Sequence, residues 1–186
     1  MINVNDLRIG TVFKEENQLW QVVVYEHIKM GRGSGNIKVK VKNLKTGSLT
    51  EKSFITGAKV EEADVEKKKA QFLYLDGENY FFMDPITFEQ FPLSKDVVGE
   101  QAKYLRDSLE VNLIISDSEA IGMEIPNSLI YEIAETGPAE KGNTISSVFK
   151  DAVLDNGLAV KVPMFIGVGD KVKVDTRSGE YVERVK

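Results

Sequence analysis

From Asn36 to Leu44 the chain reads NIKVKVKNL, a strict alternation of apolar and cationic residues. Ile37, Val39 and Val41 point one way, and Lys38, Lys40 and Lys42 point the other. A repeat of two is the period of a pleated strand, so this segment is a strand with an apolar inner face and a cationic outer face. A strand needs partners. Trp20 to Tyr25 (WQVVVY) is β-branched and aromatic and supplies one. Between the two lies Lys29-Met30-Gly31-Arg32-Gly33-Ser34-Gly35, which reads as an exposed hairpin loop. Leu44-Lys45-Thr46-Gly47 ends the second strand in a turn, and Val60 to Val65 leads out of a first small β domain.

The rest of the chain repeats this short-strand pattern. Ala70 to Leu75 and Asn79 to Met83 form a hairpin around Asp76-Gly77, and Phe88 to Leu93, Glu110 to Ile115 and Ala120 to Ile125 are further strands. One helix is expected, capped by Ser94 and running to about Leu109, with Val97, Val98, Leu105 and Leu109 as its apolar stripe and Gly99 as a weak point. Past Pro126, Ser128 to Ala134, Asp151 to Leu154, Ala159 to Val162, Gly169 to Val174 and Tyr181 to Val185 read as strands, with a loop from Thr136 to Ser147. The expectation is an all-β chain of three small barrels, over 1–64, 65–128 and 129–186. Units of about 60 residues built of short strands fit OB-type barrels, each marginal alone and helped by its neighbours.

Composition narrows the chemistry. The 186 residues include no cysteine, which excludes disulfides, cysteine nucleophiles and thiolate metal sites. His27 is the one histidine, so a multi-histidine zinc site is excluded and a serine–histidine triad has a single candidate. His27 sits within a strand and reads as structural. The start, MINVNDLRIG, is not a secretory signal, and no apolar run spans a membrane, so a cytoplasmic protein without membrane contact is expected.

The net charge of −5 argues against indiscriminate nucleic-acid binding, but the charge is uneven. Residues 1–64 carry 10 Lys/Arg against 8 Asp/Glu, residues 65–128 carry 6 against 12, and residues 129–186 carry 8 against 9. From His27 to Thr50 there are six cations and no acid. That run is either a solvated strand face or a targeted contact with phosphate.

No motif supplies an enzyme site. Gly31-Arg32-Gly33-Ser34-Gly35 lacks the lysine and the following helix of a phosphate-binding loop, and Asn36 stands where a dinucleotide fingerprint needs its last glycine. The loop is either a flexible hairpin tip or an arm that presents Arg32. Its glycines permit close backbone approach, and the guanidinium can grip phosphate or stack on a base. Acid pairs such as Glu15-Glu16 and Glu61-Glu62 sit among turn residues and select no glycosidase geometry. Phe72, Tyr74, Tyr80, Phe81 and Phe82 are either a stacking platform for bases or barrel core.

Three stretches resemble the bacterial elongation factor P family: Asn5 to Gly10 with the Lys29–Gly35 arm and the Lys40–Gly47 strand and turn; Phe82-Met83-Asp84 through Thr87-Phe88-Glu89-Gln90; and Gly157 to Phe165, then Gly169, then Val174 to Tyr181. The resemblance covers essentially the whole chain. It implies an N-terminal SH3-like (KOW-type) barrel followed by two OB-folds, in an elongated, L-shaped mimic of transfer RNA. It also implies a protein that is not an enzyme, and a monomer is expected. The implied function is binding to the ribosome, its RNA and proteins, between the peptidyl-tRNA and exit sites. There the factor stimulates peptide-bond formation and relieves stalling at consecutive prolines.

The same resemblance assigns residues. Arg32 falls at the functional tip, with Lys29, Gly31, Gly33 and Ser34 completing the arm that meets peptidyl-tRNA. Lys40 and Lys42 fall where RNA phosphates are met. Gly142, Asn143 and Thr144 occupy a loop that approaches the exit-site codon, with Asn143 in place of the usual aspartate. Asp175, Arg177 and Tyr181 lie in the terminal motif, which either contacts ribosome or tRNA or simply shapes a turn. No metal or cofactor is implied. Family members modify the tip residue, some arginine-bearing ones with rhamnose, which leaves two readings open, an Arg32 extended by a dedicated modifying enzyme or an unmodified Arg32; arginine excludes the lysine modifications. The competing reading is an OB-fold protein that binds single-stranded RNA away from the ribosome.

Overall fold

The computed structural model describes residues 1–28, 35–137 and 149–185. The first sheet holds β1 (Ile2–Asn3), β2 (Val12–Glu15), β3 (Gln18–Ile28), β4 (Asn36–Asn43), β5 (Leu49–Ile55) and β6 (Lys59–Glu62), in spatial order β1-β6-β2-β3-β4-β5. The alternating segment is β4, and its burial follows its pattern: Ile37, Val39 and Val41 are buried while Lys38 and Lys40 are exposed. The inner face packs with Val4, Leu7, Phe13, Trp20, Val22 and Val60. Burying side chains of this size stabilises by about 1.5–3 kcal/mol each, before chain entropy is set against it.

The second sheet holds β7 (Glu66–Asp76), β8 (Asn79–Met83), β9 (Gln90–Ser94), β10 (Glu110–Ser116) and β11 (Glu119–Glu124), ordered β11-β10-β7-β8-β9. Its edge strands β9 and β11 approach each other, which curls the sheet. The third holds β12 (Ser128–Thr136), β13 (Phe149–Leu154), β14 (Ala159–Pro163), β15 (Lys171–Asp175) and β16 (Tyr181–Val185), ordered β14-β13-β12-β15-β16. Among the described residues every strand pairing is antiparallel. An all-β fold of three sheets is therefore what the alternating sequence forms.

The chain gathers into two compact units. One is Met1–Gly99 with Glu110–Glu124, and the other is Glu100–Leu109 with Ile125–Lys186. This division explains where the expected helix departs from observation. The Ser94 hydroxyl does cap a helix, accepting from Val97 N at 3.4 Å. That helix, α1 (Lys95–Val98), is one turn long, and a 3-10 segment follows over Gly99–Tyr104. Gly99 has φ +57 and ψ −137, which stops the α-helix. Val97 and Val98 are buried in the first unit, whereas Tyr104 and Leu109 are buried residues of the second. A stripe serving two cores cannot be one straight helix.

Residues 100–109 are tied firmly into the second unit. The Tyr131 hydroxyl donates to Tyr104 O at 2.9 Å. Arg106 donates to Ile130 O at 2.9 Å and lies 5.2 Å from the Tyr131 ring centroid. Asn156 Nδ2 donates to Lys103 O at 2.9 Å.

Candidate functional site

The glycine-rich segment lies in sequence between β3 and β4, whose ladder runs from Trp20↔Asn43 to Ile28↔Asn36. A bulge between Val22 and Val24 increases the twist of this ribbon. β5 runs alongside as far as Asn36↔Ile55, and Thr56 N donates to Gly35 O at 2.9 Å. The root of the loop is thus three strands wide, where a free two-stranded hairpin would be marginal. Lys29, Gly31, Arg32, Gly33 and Ser34 lie outside the described residues. His27 pairs with Ile37 in the same ladder.

The outer face of β4 is less cationic than its sequence. Glu26 on β3 stands opposite Lys38, and Glu51 on β5 stands opposite Lys40. Lys38 Nζ reaches Glu51 Oε2 at 3.7 Å. An exposed pair of this kind contributes about 0–1 kcal/mol, so Lys38 remains free to exchange its partner for a phosphate. Lys40 is exposed and pairs with no acid among the described residues. Lys42 differs. It is half-buried, and its ammonium donates to the carbonyl of Val97. Burial pushes its pKa below the usual lysine value. Of the two lysines assigned to phosphate, Lys40 faces water and Lys42 is committed to a protein contact.

In the second unit, Asp175 ends β15 and Tyr181 opens β16. Asp175 Oδ1 accepts from the backbone N–H of Arg177 at 2.8 Å and from its Nε at 3.1 Å, and Oδ2 accepts from Nη2 at 2.5 Å. The Arg177 guanidinium and backbone amide hold the Asp175 carboxyl well below the usual carboxylate range. Gly179, at φ +76, completes the turn by donating to Asp175 O at 2.8 Å. Thr176 fastens it to Asn127 O and Pro126 O. Asp175 therefore shapes this turn, while Arg177 stays largely exposed and Tyr181 half-buried beside Val174. Gly142, Asn143 and Thr144 lie outside the described residues.

The aromatic cluster divides by strand face. Phe72 and Phe82 are buried with ring centroids 5.6 Å apart, and Tyr80 lies 6.0 Å from Phe72. Tyr74 and Phe81 stack at 5.1 Å, with Tyr74 about half exposed. The bulge between Phe72 and Tyr74 puts Tyr74 on the opposite face from the core pair.

Asp84 is a functional-looking residue that carries no assignment from the sequence. Its buried carboxylate accepts from the N–H groups of Ile86 at 2.7 Å and Thr87 at 3.1 Å, and Lys68 lies 3.2 Å away. The two backbone amides, then Lys68, hold its pKa down to about 2. The turn it caps keeps Phe88 at φ +61 and exposed. Asp84-Pro85 was the available signal, because an aspartate that bonds amides two and three residues on initiates a turn. A cavity of about 620 Å³ lies where the first two sheets meet, lined in part by Glu16, Lys45, Pro92 and Glu119, and among the described residues no sequence-assigned site residue lines it.

Three family models match the chain in order, one on each sheet. They are the elongation factor P KOW-like domain over residues 3–60, its OB domain over 65–123 and its C-terminal domain over 130–184. Elongation factor P of Moorella thermoacetica is 43% identical over 184 residues, covering 99% of this chain and 100% of that protein. The chain belongs to the elongation factor P family. Elongation factor P of Clostridium botulinum strain Hall is 44% identical over 185 residues, covering both chains completely. Among solved structures, eukaryotic translation initiation factor 5A from Methanococcus jannaschii aligns over 67% of this chain and 90% of that one, at 24% identity and a TM-score of 0.46. Membership in the elongation factor P family agrees with the three successive sheets. Among the described residues no helix is long and apolar enough to cross a membrane.

Proposed function

We propose that this chain is a translation elongation factor that binds the ribosome between the peptidyl-tRNA and exit sites and relieves stalling at consecutive prolines. The observation that carries the reading is the full-length match to proteins named elongation factor P, without a gap in domain order. The physical logic is positioning. Proline is a constrained, slow participant in peptide-bond formation. A body that restrains the acceptor end of peptidyl-tRNA lowers the barrier by orienting reactants, and such orientation can contribute several kcal/mol. The ribosome carries the chemistry. In this scheme Arg32 is the tip of the arm, Lys29, Gly31, Gly33 and Ser34 set its reach, and Lys40 meets phosphate.

The three-strand root supports the reading, because a restraint works only if its base is stiff. The third sheet supplies a second attachment through Arg177 and the loop of Gly142, Asn143 and Thr144. Arg32 is the residue a modifying enzyme would extend, for example with rhamnose.

The test is synthesis of a reporter with three consecutive prolines in a reconstituted translation system, with and without the unmodified recombinant chain. Relief of the stall is expected, and Arg32→Ala should abolish most of it without moving the melting temperature. If unmodified protein is inactive but protein from its native host is active and heavier by intact mass, modification of Arg32 is required. Inactivity of both, with salt-sensitive binding to free oligonucleotides and no preference for ribosomes, would replace this reading with a single-stranded RNA binder.

A further inference from the structure

The first two sheets meet, inside one compact unit, along a seam that the assigned site residues do not explain. Gly47 stands against α1 with φ +72, and a Cβ added there would lie 1.9 Å from Asp96 O and 2.6 Å from Asp96 C. The next carbonyl, that of Val97, accepts the Lys42 ammonium. Gln21 Nε2 donates to Glu124 Oε1 at 2.8 Å, and Lys67 brackets the same carboxylate at 2.8 and 3.0 Å. Between these polar contacts Val12, Leu44 and Ile114 form a shared apolar cluster. Gly122 lets Leu44 in, since a Cβ there would sit 3.0 Å from Leu44 Cδ2.

Lys42 lies near the end of β4, and Gly47 in the turn that follows. The same strand begins at Asn36, at the root of the arm. At about 3.3 Å per residue, roughly 20 Å of strand separates root from seam. A rocking of about 5° at the seam would shift the root by roughly 2 Å over that length. Reaction geometry is sensitive on this scale, where a misplacement of about 1 Å can lower a rate roughly a hundredfold.

We propose that Gly47 and Lys42 are positioning residues: they lock the arm-bearing first sheet onto the second, so that the reach of the arm is set by both sheets together. This inference rests on the proposed function. It adds that the rigidity of the seam, and not only the chemistry of the tip, determines relief of stalling. Gly47 is required because backbone meets backbone there, and no side chain can move aside to admit a methyl group.

The absence of cysteine makes the test direct, because two introduced cysteines label uniquely. Thr50→Cys on the first sheet and Lys69→Cys on the second, both exposed positions, carry spin labels for a pulsed distance measurement in the full chain. Gly47→Ala and Lys42→Met perturb the seam from either side of the contact. Gly77→Ala is the control. Gly77 also has positive φ, at +56, but a Cβ there meets nothing within 4 Å.

Both seam variants should broaden or shift the distance distribution and lower tri-proline relief by about tenfold or more, with Arg32 intact. Gly77→Ala should lower the melting temperature while leaving distance and relief unchanged. An unaltered distance in both seam variants would overturn the inference, as would an altered distance with full relief or an equal loss of relief in Gly77→Ala. If the unsubstituted chain gives no relief under any preparation, the proposed function itself fails and takes this inference with it. Relief by the unsubstituted chain together with unaltered distances in the seam variants fails this inference alone.

Discussion

Tyr131 allows the packing of residues 100–109 to be tested by pH. Its ring is completely buried, and its hydroxyl donates to Tyr104 O at 2.9 Å. Burial pushes the phenol up to about 12, with the nearby Arg106 opposing the rise. An unfolded tyrosine ionises near 10. Folding thus raises the pKa, and the stability this carries is complete below pH 10 and is lost as pH climbs toward 12. With those two values, about 1.4 kcal/mol is gone by pH 11. Tyr131→Phe removes both the titration and the bond. At pH 7 the variant should be less stable by about 1–2 kcal/mol, since a buried carbonyl loses its donor. By pH 11 the difference should be nearly closed, because only the wild type carries the alkaline penalty. Hydrogen exchange followed by mass spectrometry, across peptides covering residues 100–109 and 128–136, reads both states over pH 7 to 11. Fluorescence of Trp20, the one tryptophan, reports on the first unit and should not distinguish the two proteins. Parallel stability curves at all pH values would refute the reasoning, and so would loss of protection in the second sheet in place of the third.

Three further outcomes follow from the geometry. Asp84→Asn should lower the melting temperature and expose the 84–89 turn to proteolysis; in the wild type this stabilisation, held above the ordinary carboxylate range, should fade as pH drops through about 2, read by thermal scans in acid. Lys40→Glu should weaken ribosome binding and reduce its salt slope by about one, whereas Lys42→Met should affect stability and the seam before it affects the salt slope. Asp175→Asn should release Arg177 and speed amide exchange across residues 176–180, with the strands β15 and β16 still protected.

Local pattern carried much of the fold. Alternation identified β4 and its buried face, because burial on one side of a pleat leaves a period of two in the residues themselves. Ser94 was legible as a cap because its partner lies three residues away. The helix drawn to Leu109 was not, because Val97 and Leu109 are apolar for different cores, and a one-dimensional pattern does not say which core. The candidate site shows the same limit. The acid-free run from His27 to Thr50 read as a cationic face, yet Glu26 and Glu51 arrive beside it from neighbouring strands. The family resemblance assigned Lys42 to phosphate, and its alternation with Lys38 and Lys40 placed it on the outer face, but neither reveals Val97, which is 55 residues away.

The amino-acid sequence by itself determined the all-β class, the family, and the absence of cysteine chemistry. These depend on residue identity and on periods of a few positions. Tertiary structure alone decided that residues 100–109 serve the third sheet, that Lys42 is engaged with α1, and that Gly47 admits no side chain. Each of those facts depends on which surfaces meet after the chain has folded back. Close packing makes such meetings specific to a fraction of an ångström, and no local preference encodes them.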